Sequence, residues 1–363
     1  MKYYKNVIIM LGFSFNVLAG AAQNSPALTY AERLGWSKTD KVVVFHVDDA
    51  GMSYDSNDGA IKALNGDVAT SVSVMMPCPW VPAMVKYLRE HSGTDAGLHL
   101  THTSEWDGYR WVPLTGCKQS PGLCDQEGAM WNNVSDVQRH ASADQVEAEI
   151  WAQLERARKM GFNPTHLDTH MGTLWSSPEY LDRYIKVGIA AHIPVLFAAG
   201  HGSLLLKQLQ ERPLSGLKKL GDKKEDQQEV DASVLKGIQQ TGERIWNAGL
   251  AVADDLYISS YDWVFPKDKE ATDENLRQFK TERYKALLQE AKPGITVILI
   301  HCTAPTEAFS HITDSGNTRK ADLLAMTDPA LMQFIRQQGI VLTTWRELQA
   351  RRDKLTAPDF KHN

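Results

Sequence analysis

The chain has 363 residues, of which 23% are charged, and its formal net charge at pH 7 is −5. This length suits a single large α/β domain. The mildly acidic balance argues against nucleic acid or an anionic membrane surface as a partner, because both attract basic patches. No internal repeat or low-complexity linker divides the sequence, and we therefore predict one domain over residues 23–363.

Residues 1–22 have the pattern of a cleaved secretory signal. Lys2 and Lys5 precede a short apolar stretch, and Ala19–Ala21 offers the small residues at which signal peptidase cleaves. That stretch is too short to cross a bilayer comfortably, and no later one reaches the roughly 18 apolar residues of a membrane span. We therefore expect export to the periplasm or the exterior, and no membrane span in the mature chain.

Short β-rich runs alternate with helical patterns along the chain. Near-continuous apolar runs such as Ile295–Ile300 are typical of strands buried on both faces. The clearest helix, residues 142–160, begins with a capping box of Ser142 and Gln145 and ends at Gly161. Similar helical patterns cover residues 178–190, 273–291 and 328–338. The candidate strands are Val42–Val47, Ser71–Met76, Ala96–Thr101, Thr165–Thr169, Ile193–Phe197, Asp255–Ser259, Ile295–His301 and Ile340–Thr344.

This alternation predicts an α/β fold with a parallel sheet. About eight repeats in one domain indicate an irregular (β/α) TIM-like barrel of seven or eight strands. Two inserts interrupt the alternation, near residues 102–140 and 201–250. In the first insert, Cys117 and Cys124 flank a turn-rich loop, and after export they are predicted to form a disulfide. Two free thiols in a flexible insert are the alternative.

Polar side chains gather where the predicted strands end, which is the edge of an α/β barrel where active sites are built. His46, Asp48 and Asp49 end the first strand, and Gly51 breaks it. Adjacent carboxylates after a buried strand are costly unless a positive or protic group meets them. Capping of the next helix is the plainer explanation when this pair is considered alone.

Histidines end three further strands. His99 lies within the third strand, where a single histidine more often belongs to the core. His166, Asp168 and His170 share one side of the fourth strand by the two-residue period, and an imidazole beside a carboxylate is typical of a metal ligand and the group that orients it. His301 ends the most apolar strand. One carboxylate and two imidazoles with open positions would form a catalytic metal site.

The order of these motifs resembles the YdjC-like carbohydrate deacetylases, a family that includes chitooligosaccharide deacetylase. The resemblance spans roughly residues 41–302 and is carried by Asp48–Gly51, Gly97–Leu100, Pro164–His170 and His301–Cys302, with support from Asn57–Ile61 and Val68–Ser73. It implies an irregular barrel that binds one divalent metal ion, Mg²⁺ or Zn²⁺, and removes N-acetyl groups from amino-sugar oligosaccharides. By the same resemblance, Asp49, His99 and His170 are the metal ligands. The resemblance also implies that Asp48 is the general base.

The chain departs from the pattern of this family at three places. His46 stands where the family usually has asparagine, and because it shares a strand face with Asp48 we expect it to face the base and tune it. Ala50 replaces a common phenylalanine, which should open space there. Met171–Thr173 follows His170 where the family often has more histidines.

Other residues complete the predicted site. The amine that leaves an amide must be protonated, and His301 is the candidate acid; a hydrogen-bonded core histidine is the alternative. His166 and Asp168 are expected to lie behind the ligands and orient them. Three tryptophans are candidates for stacking on sugar rings or for ordinary packing: Trp106, Trp111 and Trp175. His102 has no assigned role.

Other reactions remain compatible with this metal set, notably hydrolysis of an O-acetyl group or of another ester or amide of a glycan. A phosphoesterase would need arginines or lysines at the strand ends to hold phosphate, and the predicted strand ends carry none. A barrel that only binds glycans would be expected to have lost the base or a ligand, and all four of those residues are present. The acetylated oligosaccharide that the resemblance implies is therefore kept as the expected substrate.

Overall fold

A parallel sheet of seven strands forms the centre of the computed structural model, which describes residues 28–211 and 224–355, with the backbone alone for 224–232. The predicted signal, residues 1–22, lies outside the described residues. The strands run in the order β4-β3-β2-β1-β6-β5, and β7 also pairs with β1. Their bounds are β1 Lys41–Ala50, β2 Ser71–Val74, β3 Ala96–Leu100, β4 Leu167–Thr169, β5 Asp255–Tyr257, β6 Gly294–Ile300 and β7 Val341–Leu342.

Strand β1 lies at the middle of this sheet and is buried from Val42 to Ala50. One edge pairs with β6 from Lys41 to Val47. The other edge is shared, because β7 pairs with Val42 and Val43 while β2 pairs further along, from His46 to Ala50. Its apolar run therefore covers both faces, as expected of a central parallel strand with helices on the outside.

The edge strands β4 and β5 are linked through residues 193–199. Val195 forms a parallel bridge with Leu167 of β4, and Ala198 forms one with Ala253, just ahead of β5. The prediction that Ile193–Phe197 is a regular strand is wrong, because Pro194 has no N–H to donate and the segment forms isolated bridges only. The irregular TIM-like barrel of seven or eight strands is nevertheless confirmed, since this segment joins the two edges of a curled parallel sheet.

The helices lie between the strands, and the four predicted from sequence are confirmed within two residues at each end. Helix α6 has the predicted capping box of Ser142 and Gln145, and Gly161 just beyond it has a positive φ of 79°. The helices are α1 Tyr30–Arg33, α2 Tyr54–Leu64, α3 Val81–Glu90, α4 Gly116–Gln119, α5 Val134–His140, α6 Ala143–Lys159, α7 Pro178–Ala191, α8 Ser203–Glu211, α9 Lys224–Asn247, α10 Asp273–Glu290, α11 Glu307–Ser310, α12 Gly316–Met326, α13 Pro329–Gln337 and α14 Trp345–Lys354.

The two inserts differ in character. The first carries the short helices α4 and α5, and the predicted disulfide between Cys117 and Cys124 is present. The second is mostly helical, with α8 and α9 on either side of residues outside the described part. None of the helices in the described ranges has both the length and the hydropathy needed to cross a bilayer.

Helix α2 packs so closely on the loop after β6 that only glycine fits at one position. A Cβ added to Gly59 would lie 2.3 Å from Thr303 Cα, whereas one added to Gly93 meets nothing within 4 Å. We expect Gly59→Ala to lower the free energy of unfolding by about 1–3 kcal/mol, because the backbone must move to relieve the clash. Denaturant titration would measure this, with Gly93→Ala as control. Equal stability of the two variants would contradict this close packing.

Candidate metal centre

Strand β1 changes direction at the position where its two carboxylates project. The pairing of β1 with β2 is irregular between Val47 and Ala50, and Asp49 has a left-handed φ of 67°. Such a φ is uncommon outside glycine and is often found at functional sites. As a result, neighbouring side chains that a straight strand would direct apart both approach His99: Asp48 Oδ1 is 4.0 Å from its Nδ1, and Asp49 Oδ1 is 3.3 Å from its Nε2.

The structure brings the three predicted ligands together. Asp49 Oδ1 lies 3.3 Å from His99 Nε2 and 3.4 Å from His170 Nδ1, and the two ring nitrogens are 3.2 Å apart. Bonds of about 2.0–2.1 Å to one cation would separate neighbouring ligand atoms by about 3.0–3.4 Å. All three residues are buried, and Asp49 Oδ1 has no hydrogen-bond partner among the described residues. The donor set therefore fits a single small divalent cation.

Asp168 orients this donor set from behind. Its Oδ1 accepts from His99 Nδ1 at 2.8 Å, which turns His99 Nε2 toward Asp49. Its Oδ2 accepts from His46 Nε2 at 2.7 Å and from the Ser73 hydroxyl at 2.8 Å. A carboxylate that holds the second nitrogen of a ligand imidazole is the usual support of a metal site.

Glu105 gives the other histidine the same support. Both of its carboxylate oxygens lie within 3.1 Å of His170 Nε2, so the Nδ1 atom faces Asp49. The backbone beyond His170 turns through left-handed values at Met171 and Gly172. Sequence reasoning missed Glu105, because it lies in the insert after β3 and no strand period connects it to His170.

Arg319 on α12 is a second residue that the sequence did not reveal. Its Nη1 donates to Asp49 Oδ2 at 2.7 Å, which leaves Oδ1 directed at the two histidines. The sequence pattern of the site is confined to strand ends, whereas Arg319 comes from a helix. Three residues further along α12, Asp322 accepts from the backbone N–H of His301 at 3.1 Å and pairs with the buried Lys280 at 2.8 Å. Two polar residues three positions apart lie on the same face of a helix. In the sequence, this spacing of Arg319 and Asp322 was the feature that could have indicated their shared role.

Negative charge exceeds permanent positive charge in this pocket. Four buried carboxylates meet here, those of Asp48, Asp49, Glu105 and Asp168. Among the arginines and lysines of the described residues, Arg319 alone forms an ion pair with one of these carboxylates. When His46 is protonated and the His99 and His170 rings are neutral, as ligands of a cation must be, two negative charges remain in excess, and a divalent cation would balance them. Without a cation, protons on these two rings would balance the charge instead.

The pKa values of the ligands reflect the same surplus. Burial by itself would raise the pKa of Asp49, but the Arg319 guanidinium and the two imidazoles hold it well below its usual range. Burial would lower the pKa of His170, yet Glu105 and Asp49 raise it to about 9. The pKa of His99 also rises well above its usual value, because Asp168 and Asp48 outweigh burial.

The predicted base has an environment suited to proton transfer. Burial raises the pKa of the Asp48 carboxyl, and its Oδ1 lies 3.2 Å from His46 Nε2. Burial would lower the pKa of His46, but its hydrogen bond to Asp168 and the nearby Asp48 carboxylate raise it to about 9. His46 therefore connects the base to the carboxylate that orients His99, in line with its predicted orientation.

His301 and His166 occupy different depths. His301 Nε2 lies 3.8 Å from Asp48 Oδ2, its side chain is 14% exposed, and burial lowers its pKa to about 3. His166 is buried against Gly97, stacks on Trp345 and touches the His46 ring. His301 can therefore reach the pocket, whereas His166 supports His46 from the core.

The three tryptophans also differ in position. Trp111 is buried, donates its indole N–H to Thr103 O, and packs against the His170 ring, so it supports that ligand from behind. Trp106 and Trp175 are half-buried, and Trp106 lies beside Trp111. His102 is fully buried outside the ligand set, and burial lowers its pKa to about 4.

Fold and site together define an α/β barrel with a buried Asp-His-His cluster that could hold a cation at the carboxyl edge of its strands. The chain belongs to the YdjC-like protein family, whose sequence profile matches residues 42–337. It is 35% identical over 159 residues to a carbohydrate deacetylase of Thermus thermophilus, covering 44% of this chain and 54% of that protein. A carbohydrate deacetylase of Thermoanaerobacter pseudethanolicus is 21% identical over 309 residues, covering 85% of this chain and all of that protein.

The match thus spans only about half the length of the Thermus protein. For six further curated relatives, it covers 50% or less of each protein. A crystal structure from Enterococcus faecalis, of a protein named as a candidate for cellobiose-phosphate cleavage, has a TM-score of 0.61 and 17% identity. It covers 85% of this chain and 99% of that one. This likeness supports the barrel fold.

The ligand set can be tested by cation binding. We expect His170→Ala to weaken Zn²⁺ binding by at least about 10-fold, because one of three donors is removed. Titration calorimetry, with metal analysis after dialysis, would measure the affinity and the stoichiometry. The control is His311→Ala, since that side chain is 73% exposed and pairs only locally with Glu307. Full occupancy in His170→Ala would contradict the assignment of this ligand.

The ion pair of Arg319 can be tested through stability. Without its guanidinium, Asp49 is a buried charge lacking its partner, and we expect Arg319→Met to cost about 3–5 kcal/mol in the free energy of unfolding. Excess Zn²⁺ should restore part of this loss, because a cation would supply the missing charge. Arg183→Met, which removes two partly exposed ion pairs, should cost less than Arg319→Met, at about 1 kcal/mol. Equal losses in both variants would refute this role of Arg319.

Proposed function

We propose that this protein is a metal-dependent carbohydrate deacetylase that removes N-acetyl groups from amino-sugar oligosaccharides. The observation that carries the proposal is a buried set of three ligand atoms within 3.4 Å of one another, with the Asp48 carboxylate 4.0 Å from the ring of one of these ligands, His99. Membership of the YdjC-like family supports it, as do the two relatives named carbohydrate deacetylase. One divalent ion, Zn²⁺ or Mg²⁺, would be held by Asp49, His99 and His170.

Amide hydrolysis requires help at both reactants, because an amide is a poor electrophile and neutral water is a poor nucleophile. A divalent cation at this site would supply Lewis-acid chemistry, polarising the acetyl carbonyl and lowering the pKa of water. The side chains of the protein must then position the attacking water and accept its proton. The walls of the pocket are buried, so charges that develop there are poorly screened by solvent.

Asp48 is the general base in this proposal. Its Oδ1 lies 4.0 Å from Nδ1 of the His99 ring, and its burial-raised pKa makes it a better proton acceptor than an exposed aspartate. His46 contacts the same carboxylate at 3.2 Å and holds its orientation. Asp48 takes the proton of the attacking water while Oδ2 remains directed toward His301.

His301 is the acid that protonates the leaving amine. Its lowered pKa means that the ring is neutral before reaction, so it must first accept a proton. Asp48 Oδ2 is 3.8 Å from its Nε2, a gap that a small side-chain movement or one water molecule closes. The proton that Asp48 removes from water is therefore available to His301, and through it to the amine nitrogen.

We also infer export to the periplasm or the exterior. Residues 1–22 carry the signal pattern, and the disulfide of Cys117 and Cys124 supports this location because such bonds persist in oxidising compartments. Recovery of the chain with residues 1–22 intact, and from the cytoplasmic fraction alone, would contradict the inference.

The base is tested by acetate release. We expect Asp48→Asn to lower the rate by at least about 10²-fold, because general-base assistance is lost, while Zn²⁺ remains bound. Substrates should include acetylated chito-, peptidoglycan- and xylan-derived oligomers, so that N-acetyl and O-acetyl groups are compared directly. Asp67→Asn is the matched control, since that side chain is 74% exposed. Unchanged turnover in Asp48→Asn would remove this residue from the mechanism.

Metal dependence is tested on the unaltered protein. We expect a chelator to abolish acetate release and stoichiometric Zn²⁺ or Mg²⁺ to restore it. The reason is that the pocket has few positively charged side chains that could take the place of the cation. Circular dichroism before and after chelation checks that the fold survives. Full activity in protein shown by elemental analysis to be free of metal would overturn the proposed chemistry.

A further inference from the structure

Two exposed aromatic side chains stand in contact at the rim of the barrel. Tyr54 is 52% exposed and Trp80 is 41% exposed, and their ring centroids lie 5.4 Å apart at 65°. The other large apolar side chains that are exposed in the described ranges are aliphatic, at Leu28, Val112, Ile189, Val264 and Leu355. Scattered aliphatic side chains are ordinary on a surface, whereas two touching aromatic rings are not.

Fold stability does not explain Trp80. It occupies the N-cap position of α3, where Ser, Thr, Asn or Asp normally accepts a hydrogen bond from the first turn. Trp80 makes no such side-chain bond. Tyr54 likewise gains little burial at the first residue of α2. Both positions therefore expose an aromatic ring where a polar side chain would serve the helix better.

The pair is fixed to the loop directly after β1, the strand that carries Asp48 and Asp49. Gly51, two residues after Asp49, accepts the backbone N–H of Trp80 at 3.0 Å. Asn57 ties the same two residues together, because its Oδ1 accepts from Gly51 N–H and its Nδ2 donates to Trp80 O. A Cβ on Gly51 would lie 2.8 Å from a Val81 methyl carbon, so the start of α3 rests directly on this loop.

The other side of the pair reaches the loop after β6. Asp55, next to Tyr54, accepts the backbone N–H of Thr306 with its Oδ1 and that of Ala304 with its carbonyl oxygen. That loop begins at His301. Tyr54 and Trp80 thus follow the carboxyl ends of β1 and β2 and stand on the same edge of the barrel as the candidate metal centre.

We propose that Tyr54 and Trp80 form a sugar-binding subsite for an oligosaccharide residue beyond the one that is deacetylated. This rests on the proposed function, because it assumes that the acetylated sugar occupies the adjacent pocket. Aromatic rings with a polar tip suit the apolar face and hydroxyl edge of a pyranose. Two side chains are too small for a stable protein interface, which needs about 800 Å² per partner.

The subsite predicts a dependence on chain length. For N-acetylglucosamine oligomers of two to six residues, we expect Trp80→Ala and Tyr54→Ala to lower kcat/KM on the longest by about 2- to 10-fold, chiefly through KM. The shortest oligomer should be hydrolysed as by the unaltered protein, because it does not reach the rim. Ile189→Ala and Leu355→Ala are controls, since both are exposed at the ends of helices.

If no oligomer releases acetate, the proposed function is refuted, but the subsite is not. A binding measurement then tests the subsite separately. Calorimetric titration of the full chain with the hexamer should then give a weaker affinity for Trp80→Ala, with Trp80→Phe between it and the unaltered protein. Equal affinities for Trp80→Ala and the unaltered protein would overturn the subsite. So would equal losses of kcat/KM on every chain length, or a dimer of the unaltered protein that Trp80→Ala dissociates in sedimentation.

Discussion

The Asp49 carboxylate is shared between two kinds of partner, and the geometry of the site follows from this division. One oxygen accepts from Arg319 at 2.7 Å, and the other stands 3.3–3.4 Å from the imidazoles of His99 and His170. A buried carboxylate is unfavourable unless it is paired and hydrogen-bonded. Arg319 meets that requirement for one oxygen only, and so the other is kept available for a cation. The left-handed backbone at Asp49 is the local strain that this orientation requires.

Helix α12 connects the two halves of the proposed chemistry. Arg319 holds a candidate ligand, and Asp322, on the same face of the helix, holds the backbone of His301. The ion pair of Asp322 with Lys280, both fully buried, fixes that face against α10. A rigid body displacement of α12 would therefore move the ligand side and the acid side together. Fixing both through one packed helix preserves their separation, which proton transfer from Asp48 to His301 requires.

Much of this arrangement could be predicted from sequence, because apolar runs mark buried strands and parallel strands end at one edge. The capping box at Ser142 and the disulfide of Cys117 with Cys124 were predictable from local chemistry alone. Glu105 and Arg319 were not, since they reach the pocket from a loop and a helix whose placement depends on tertiary packing. The segment around Val195 was also misjudged, because its composition is that of a strand while its hydrogen bonds are sparse.

That segment makes one joint of the barrel weakly hydrogen-bonded, and we call the joint between β4 and residues 193–199 the seam. Between β4 and residues 193–199, the described backbone hydrogen bonds are those of Leu167 with Pro194 and Leu196, whereas β1 and β6 pair over seven residues. Amide protons along the seam have few hydrogen bonds to break, so local opening of the barrel is expected there. The strand that would move is the one leading into His170. An ion bound by His99 and His170 would tie the end of β4 to β3, and so would hold in place the strand that forms one side of this joint.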